Sequence, residues 1–262
     1  MCKDCGCQEG NKDRFHEHEH EHRHEYDHHH THDGVNYHTH DAQHDNKIRH
    51  IEMEMNVLAK NQEYANKNRK WFSELGIVAV NIISSPGSGK TSLLEKTLET
   101  LKNKIKCAVI VGDQSTDNDA KRLNQVCKHV RQIETHSSCH LNAEQISAIL
   151  PEVIVEGTKL LFIENVGNLI CPSAFDLGEN FKIALLSTAE GEDKPVKYPV
   201  LFSDAKITVI TKTDLIPHLD WDIKKCRQYI RQINPGVFVF ELSTKTGEGM
   251  NQWIEYLINL IN

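Results

Sequence analysis

Ile77-Val-Ala-Val-Asn-Ile-Ile83 runs straight into Ser84-Ser-Pro-Gly-Ser-Gly-Lys-Thr91, and this junction decides the fold. A short, almost wholly apolar run closed by a glycine-rich turn reads as a buried strand. The residues after it, Ser92 to Leu101, read as a helix, so the turn lies between strand and helix, the context a phosphate loop needs. Gly87 and Gly89 let backbone N–H groups turn inward around phosphate oxygens. Lys90 brings a point charge to the β- and γ-phosphates, Thr91 offers its hydroxyl to Mg2+, and Ser88 and Ser92 complete the cradle. The positive end of the helix favours the anion. The loop departs from GxxxxGK[ST] only at its first position, where Ser84 stands for glycine.

Outward from this junction, strands and helices alternate. Strands are expected at Cys107–Val111, Leu160–Ile163, Phe181–Leu186, Ile207–Ile210 and Val237–Phe240, and helices around Ala120–Cys127, Trp221–Ile233 and Met250–Leu260. Short buried strands alternating with helices imply an α/β fold: a P-loop NTPase with a mostly parallel sheet flanked by helices, and ligands at the strand C-terminal ends. Upstream, Ile51, Met55, Leu58, Trp71, Phe72 and Leu75 predict a helix from Ile48 to Leu75 that packs on the domain and ends at Gly76. Three parts follow: an extension over 1–47, a helical lead-in over 48–76 and a nucleotide domain over 77–262.

The base can be read from Thr211-Lys212-Thr213-Asp214, which follows a strand where GTPases carry [NT]KxD. A carboxylate at Asp214 accepts from both N1–H and the 2-amino group of guanine, and adenine offers neither donor. Charge-assisted hydrogen bonds are worth roughly 1.5–3 kcal/mol each, enough to favour GTP over ATP. Lys212 belongs to the same turn, and Ser243-Thr244-Lys245 stands after the last strand, where a second guanine-contacting turn belongs. Glu164-Asn165-Val166-Gly167 takes the place of DxxG: Glu164 reaches Mg2+ through water and the Gly167 N–H senses the γ-phosphate. Asp113 is the first-switch candidate and Asp117 the second, either of which could instead cap the next helix. No residue stands out to position water, so turnover should be slow.

The first 50 residues carry a different chemistry. Of 17 histidines, 13 lie between His16 and His50. Residues 1–47 have hardly any aliphatic side chains and should be disordered without ligand. Cys2-Lys3-Asp4-Cys5-Gly6-Cys7 packs three thiols into six residues, and soft thiolates select late transition metals, Ni2+ or Zn2+. A formal charge of -7 leaves no basic footprint for nucleic acid. No apolar stretch is long enough to span a membrane and no signal sequence is visible, so a cytoplasmic location with reduced cysteines is expected. Within the nucleotide domain, Cys139-His140 sits at the start of an expected helix. Cys171 lies four residues beyond Gly167, on the segment a γ-phosphate sensor would move. Three donors are few for one ion, which suggests that a symmetric partner supplies more.

Taken together, Cys2/Cys5/Cys7, the histidine tract, SSPGSGKT, Gly112–Ala120 (GDQSTDNDA), Glu164–Pro172 (ENVGNLICP) and TKTD resemble the hydrogenase nickel-incorporation GTPases, the HypB family. The resemblance implies a SIMIBI-class GTPase that binds GTP/GDP with Mg2+ and forms a GTP-dependent homodimer. It implies nickel delivery to the large-subunit precursor of NiFe hydrogenase, with a zinc-binding nickel accessory protein as co-partner. It also implies a Ni/Zn site from Cys139, His140 and Cys171 near the dimer interface. Ser at the first loop position also occurs in that family. Two other readings differ: the urease-type nickel-insertion GTPase normally lacks the cysteine-rich start, and a nickel or zinc storage protein would need none of Lys90, Thr91 and Asp214.

Overall fold

A computed structural model describes residues 41–261 apart from Ser115 and Ser137, with backbone alone over Asp41–Glu52 and at Glu54. The expectations for residues 1–40, the Cys2/Cys5/Cys7 chelate and most of the histidine tract among them, lie outside the described residues. The order is α1 (Asp41–Leu75), β1 (Val78–Ser84), α2 (Lys90–Leu101), β2 (Cys107–Asp113), α3 (Asn118–Asn124), β3 (Val130–Glu134), α4 (Ala143–Val153), β4 (Leu160–Glu164) and α5 (Cys171–Ala174). Then come β5 (Phe181–Ser187), α6 (Lys194–Lys197), α7 (Pro199–Asp204), β6 (Ala205–Thr211), a 3-10 turn (Thr213–His218), α8 (Ile223–Ile233), β7 (Phe238–Glu241) and α9 (Met250–Ile261).

The seven strands form one parallel sheet in the order β3-β2-β4-β1-β5-β6-β7. β1 lies centrally, and its residues alternate between the two faces as strand geometry demands. Val80 and Ile82 join one apolar layer with Leu94 and Leu98 of α2 and Trp253 of α9. On the other face Ala79 packs with Phe72 of α1 and Ile146 of α4, while Ile83 packs with Phe202 of α7 and Ile230 of α8. Between Ala79 and Ile83 stands Asn81, fully buried, so a polar strip divides the apolar layer on that face.

The lead-in helix starts at Asp41, ahead of the expected Ile48. It ends as expected at Gly76, where the Gly76 N–H donates to the Ser73 carbonyl and the Ile77 N–H to that of Phe72, the paired bonds of a Schellman motif. Its docking is less apolar than the pattern implies: Phe72 is buried, but Met55, Leu58 and Leu75 are exposed. Polar contacts supply the rest. Asn61 donates to the Asp176 carbonyl at 2.7 Å and accepts from the Ala143 N–H at 2.9 Å, satisfying a donor that opens α4. Asn68 donates to the carbonyls of Ala143 and Leu177, and Arg69 grips both Asp176 carboxylate oxygens at 2.7 Å.

A nucleotide cleft and a metal-ligand triad

At the C-terminal edge of the sheet the loops after β1, β2 and β4 enclose a cleft of ≈ 500 Å³. Its lining includes Gly87, Gly89, Lys90, Thr91, Ser92, Asp113, Glu164, Gly167 and Lys212. Gly87 (φ 72°) and Gly89 (φ 97°) have the left-handed backbone that the phosphate loop calls for. A Cβ on Gly87 would meet nothing within 4 Å, which leaves room for a phosphate. Lys90 is buried and donates to Ser84 Oγ at 2.9 Å. Burial pulls its pKa down and the carboxyl of Glu164 pulls it back up, and an anion beside it would further favour its charged form.

Thr91 Oγ1 donates to Glu164 Oε1 at 2.8 Å, and Glu164 Oε2 is buried without a hydrogen-bond partner. Burial pushes the Glu164 carboxyl up to about 7, against the opposing pull of Lys90 and Thr91. A hydroxyl and an under-partnered carboxylate facing the same cleft are hard oxygen donors that fit Mg2+. Gly167 is pressed on the loop: a Cβ there would stand 2.9 Å from Pro86 Cγ and 3.0 Å from Pro86 Cα. The turn expected to sense the γ-phosphate therefore touches the phosphate loop itself.

The two switch candidates part company. Asp113 lines the cleft, accepting from the Gln114 N–H at 2.5 Å and from Thr116 Oγ1 at 2.6 Å. Asp117 pairs with Lys121 at 2.7 Å, is absent from the cleft lining and makes no side-chain cap bond. The base-site residues meet beyond the cleft: Ser243 Oγ donates to Asp214 Oδ1 at 2.6 Å and accepts from the N–H groups of Lys245 and Thr246. Thr244 is half-buried between them. Lys212 adopts φ 59°, rare for a side-chain-bearing residue, and donates to the Gly87 carbonyl at 2.7 Å. Such a conformation costs about 1–2 kcal/mol, tolerated here because it locks the base turn to the phosphate loop.

Several lining or supporting residues are not legible in the sequence. Ser88 Oγ donates to Glu190 Oε1 at 2.6 Å, while Lys194 pairs with Glu190 at 3.3 Å and donates to Ser85 Oγ at 3.3 Å. Burial opposes the Glu190 charge, but the bonds from Ser88, Ser85, Ser187 and Lys194 outweigh it and hold the pKa down. Strand order gives the signal in hindsight: β5 is the neighbour of β1, so the loop after it must border the phosphate loop. Asp119 and Arg122 also line the cleft, from α3.

The second cluster lies beside the first. Donor atoms of Cys139, His140 and Cys171 all fall within 4.8 Å of one another, a spread slightly above the ~3.8 Å donor separation of a tetrahedral site with ~2.3 Å bonds. Cys139-His140 sits just before α4, whose N-cap is Asn142 in a capping box with Gln145, and not on the helix itself. The His140 ring is buried, stacked on Phe175 with centroids 3.9 Å apart. Burial lowers its pKa to about 4, so the imidazole is neutral at physiological pH, the form that binds metal. Two sulfurs and one imidazole suit a soft, late transition ion. Cys171 opens α5, and the chain from Gly167 reaches it through a turn in which the Ile170 N–H donates to Asn168 Oδ1.

A model of the nucleotide-binding domain described as CobW/HypB/UreG matches residues 78–241. Hydrogenase maturation factor HypB of Escherichia coli K12 is 46% identical over 209 residues, spanning 80% of this chain and 72% of that one. The chain belongs to the HypB family. Solved HypB structures agree with the fold. The Archaeoglobus fulgidus protein superposes with a TM-score of 0.73 at 39% identity, over 78% of this chain and 100% of that one. Helicobacter pylori HypB, solved in complex with nickel, gives 0.72 at 33% identity over 77% and 95%. Among the described residues no helix is long and apolar enough to cross a membrane.

Proposed function

We propose that this HypB-family chain is a slow GTPase that binds nickel and uses its nucleotide state to deliver the ion to the large-subunit precursor of NiFe hydrogenase. Its partners on this reading are a second copy of the chain, joined when GTP is bound, and a zinc-binding nickel accessory protein. The carrying observation is the closeness of two chemistries: Cys171, one donor of the triad, follows the Glu164–Gly167 turn that lines the cleft by four residues. The nickel complex of the Helicobacter pylori relative and the maturation-factor name of the Escherichia coli relative support the reading.

Each chain residue has a part in it. Gly87, Ser88 and Gly89 present N–H groups to the phosphates, Lys90 neutralises their charge, and Asp214 with Ser243 selects guanine. Thr91 and Glu164 would hold Mg2+, which neutralises developing phosphate charge when bound. Cys139, His140 and Cys171 would hold Ni2+ or Zn2+, with any further donor coming from the second copy.

Nickel titrated into the full chain with GDP, and again with a non-hydrolysable GTP analogue, tests the reading. Affinities that differ by about 5–150-fold, the usual range of coupling between two sites, are expected, with the difference lost in Cys171→Ala. Equal affinities in the intact chain overturn it.

A further inference from the structure

One carbonyl oxygen joins the nucleotide-facing turn to the metal loop. Asn165, fully buried beside Glu164, accepts with Oδ1 from the Leu141 N–H at 3.2 Å and from the Val166 N–H at 3.0 Å. Leu141 is the residue after His140. Asn165 is itself fixed from behind: its Nδ2 donates to Asn81 Oδ1 at 3.2 Å, and Asn81 Nδ2 donates to Glu179 Oε1 at 3.1 Å. This is the polar strip that interrupts the apolar layer under β1, and its retention in a core asks for a reason, because an apolar strip would pack there without needing partners.

The opposite end of Leu141 meets the other switch region. Its side chain is completely buried and fills the space above Gly112, where a Cβ would stand 2.7 Å from Leu141 Cγ. Gly112 precedes Asp113, and the Asp113 carbonyl accepts from the Thr135 N–H at 2.8 Å at the root of the same metal loop. The segment carrying Cys139 and His140 is thus held against both nucleotide-facing loops. The segment carrying Cys171 is a continuation of one of them.

We infer that Asn165 and Leu141 form a clamp through which the nucleotide state sets the geometry of the Cys139–His140–Cys171 triad, Asn165 being a positioning residue and not a ligand. This rests on the nickel-handling reading above. Closed, the clamp ties both arms of the triad to one turn and fixes the donor separation. A reorientation of Val166–Gly167 toward a phosphate carries the adjoining Asn165 backbone with it and, with Nδ2 held by Asn81, draws Oδ1 off the Leu141 N–H. The Leu141 N–H then loses its acceptor, and a buried amide cannot stay unpaired at a cost of about 1–3 kcal/mol. The metal loop shifts, and the two arms separate.

The test is the nickel affinity of the full chain at saturating GDP and at saturating non-hydrolysable GTP analogue, wild type against Asn165→Ala. The expected result is a difference between the states in the wild type that shrinks to within about twofold in the variant. A merely structural role would weaken binding equally in both states and leave the ratio alone. An unchanged ratio in Asn165→Ala overturns the clamp and leaves the nickel reading standing, whereas a wild-type ratio of one removes both. Should the variant fail to fold, hydrogen exchange of the Leu141 amide in the wild type, read by NMR, decides. A rate that changes at least tenfold between the nucleotide states supports the clamp, and equal rates overturn it.

Discussion

Glu164 is placed where burial and function make opposite demands. Its carboxyl is pushed up to about 7 by burial, while the Mg2+ role proposed for it would require the ionised form. Mg2+-dependent GTP binding is therefore expected to strengthen as pH rises through 7 and to weaken by up to about tenfold per unit below it. The stability sign runs the other way. A carboxyl raised in the folded state makes its full contribution below the unfolded value and loses it as pH rises through about 7. Glu164→Gln should weaken the stimulation of binding by Mg2+ and remove its pH step, read with a fluorescent GTP analogue between pH 6 and 8. Retention of the step in the variant would assign it to another group. Glu164, Lys90 and Thr91 are legible because a phosphate loop and its DxxG-like turn are local patterns. Glu190 is not: its bond to Ser88 joins positions 102 residues apart, and an acidic turn after a strand has no pattern of its own.

At the scale of elements, the apolar strands announce themselves and the polar-edged ones do not. β1, β4 and β5 are almost wholly buried and appear in the sequence as mainly apolar runs, interrupted only by Asn81 and Lys182 before their polar last residues. Val130–Glu134 is an edge strand with one residue buried and charge at Arg131 and Glu134, so nothing in its sequence resembles the others. The docking of α1 escapes the sequence for a related reason. Its buried polar attachments are asparagines bonded to backbone, which hydrophobic periodicity cannot register. One glycine lets that docking happen. Gly178 has φ 89°, and a Cβ there would stand 2.5 Å from the Ala65 carbonyl oxygen and 2.9 Å from the Arg69 nitrogen, both backbone atoms of α1. Gly178→Ala adds about 1–2 kcal/mol of left-handed strain to about 1–3 kcal/mol of overpacking against atoms that cannot turn aside. A loss of about 2–5 kcal/mol in urea unfolding is expected, with α1 becoming sensitive to limited proteolysis. A loss under about 0.5 kcal/mol would show that α1 is not held at this contact.

Across the whole molecule, the division of chemistries near residue 50 is plain from composition, since 13 of the 17 histidines precede it. What composition could not show is how the Cys139–His140 loop and the Glu164–Gly167 turn meet: Leu141 and Asn165 are an ordinary apolar residue and an ordinary amide until the fold brings the Leu141 nitrogen to 3.2 Å from Asn165 Oδ1. The same division makes a prediction about metal. If Cys2, Cys5, Cys7 and the histidine tract bind ions independently of nucleotide, a chain lacking residues 1–40 should lose most of its nickel capacity. It should keep the one component whose affinity changes between GDP and the GTP analogue, because the triad, the cleft and α1 all remain. Adding Cys171→Ala to that truncation should remove this last component while GTP binding persists, since Cys171 is absent from the cleft lining. Equilibrium dialysis with nickel in each nucleotide state resolves the two classes. If the truncated chain bound nickel without nucleotide dependence while the full chain showed it, the coupling would reside in the extension, and the triad would be a passive site.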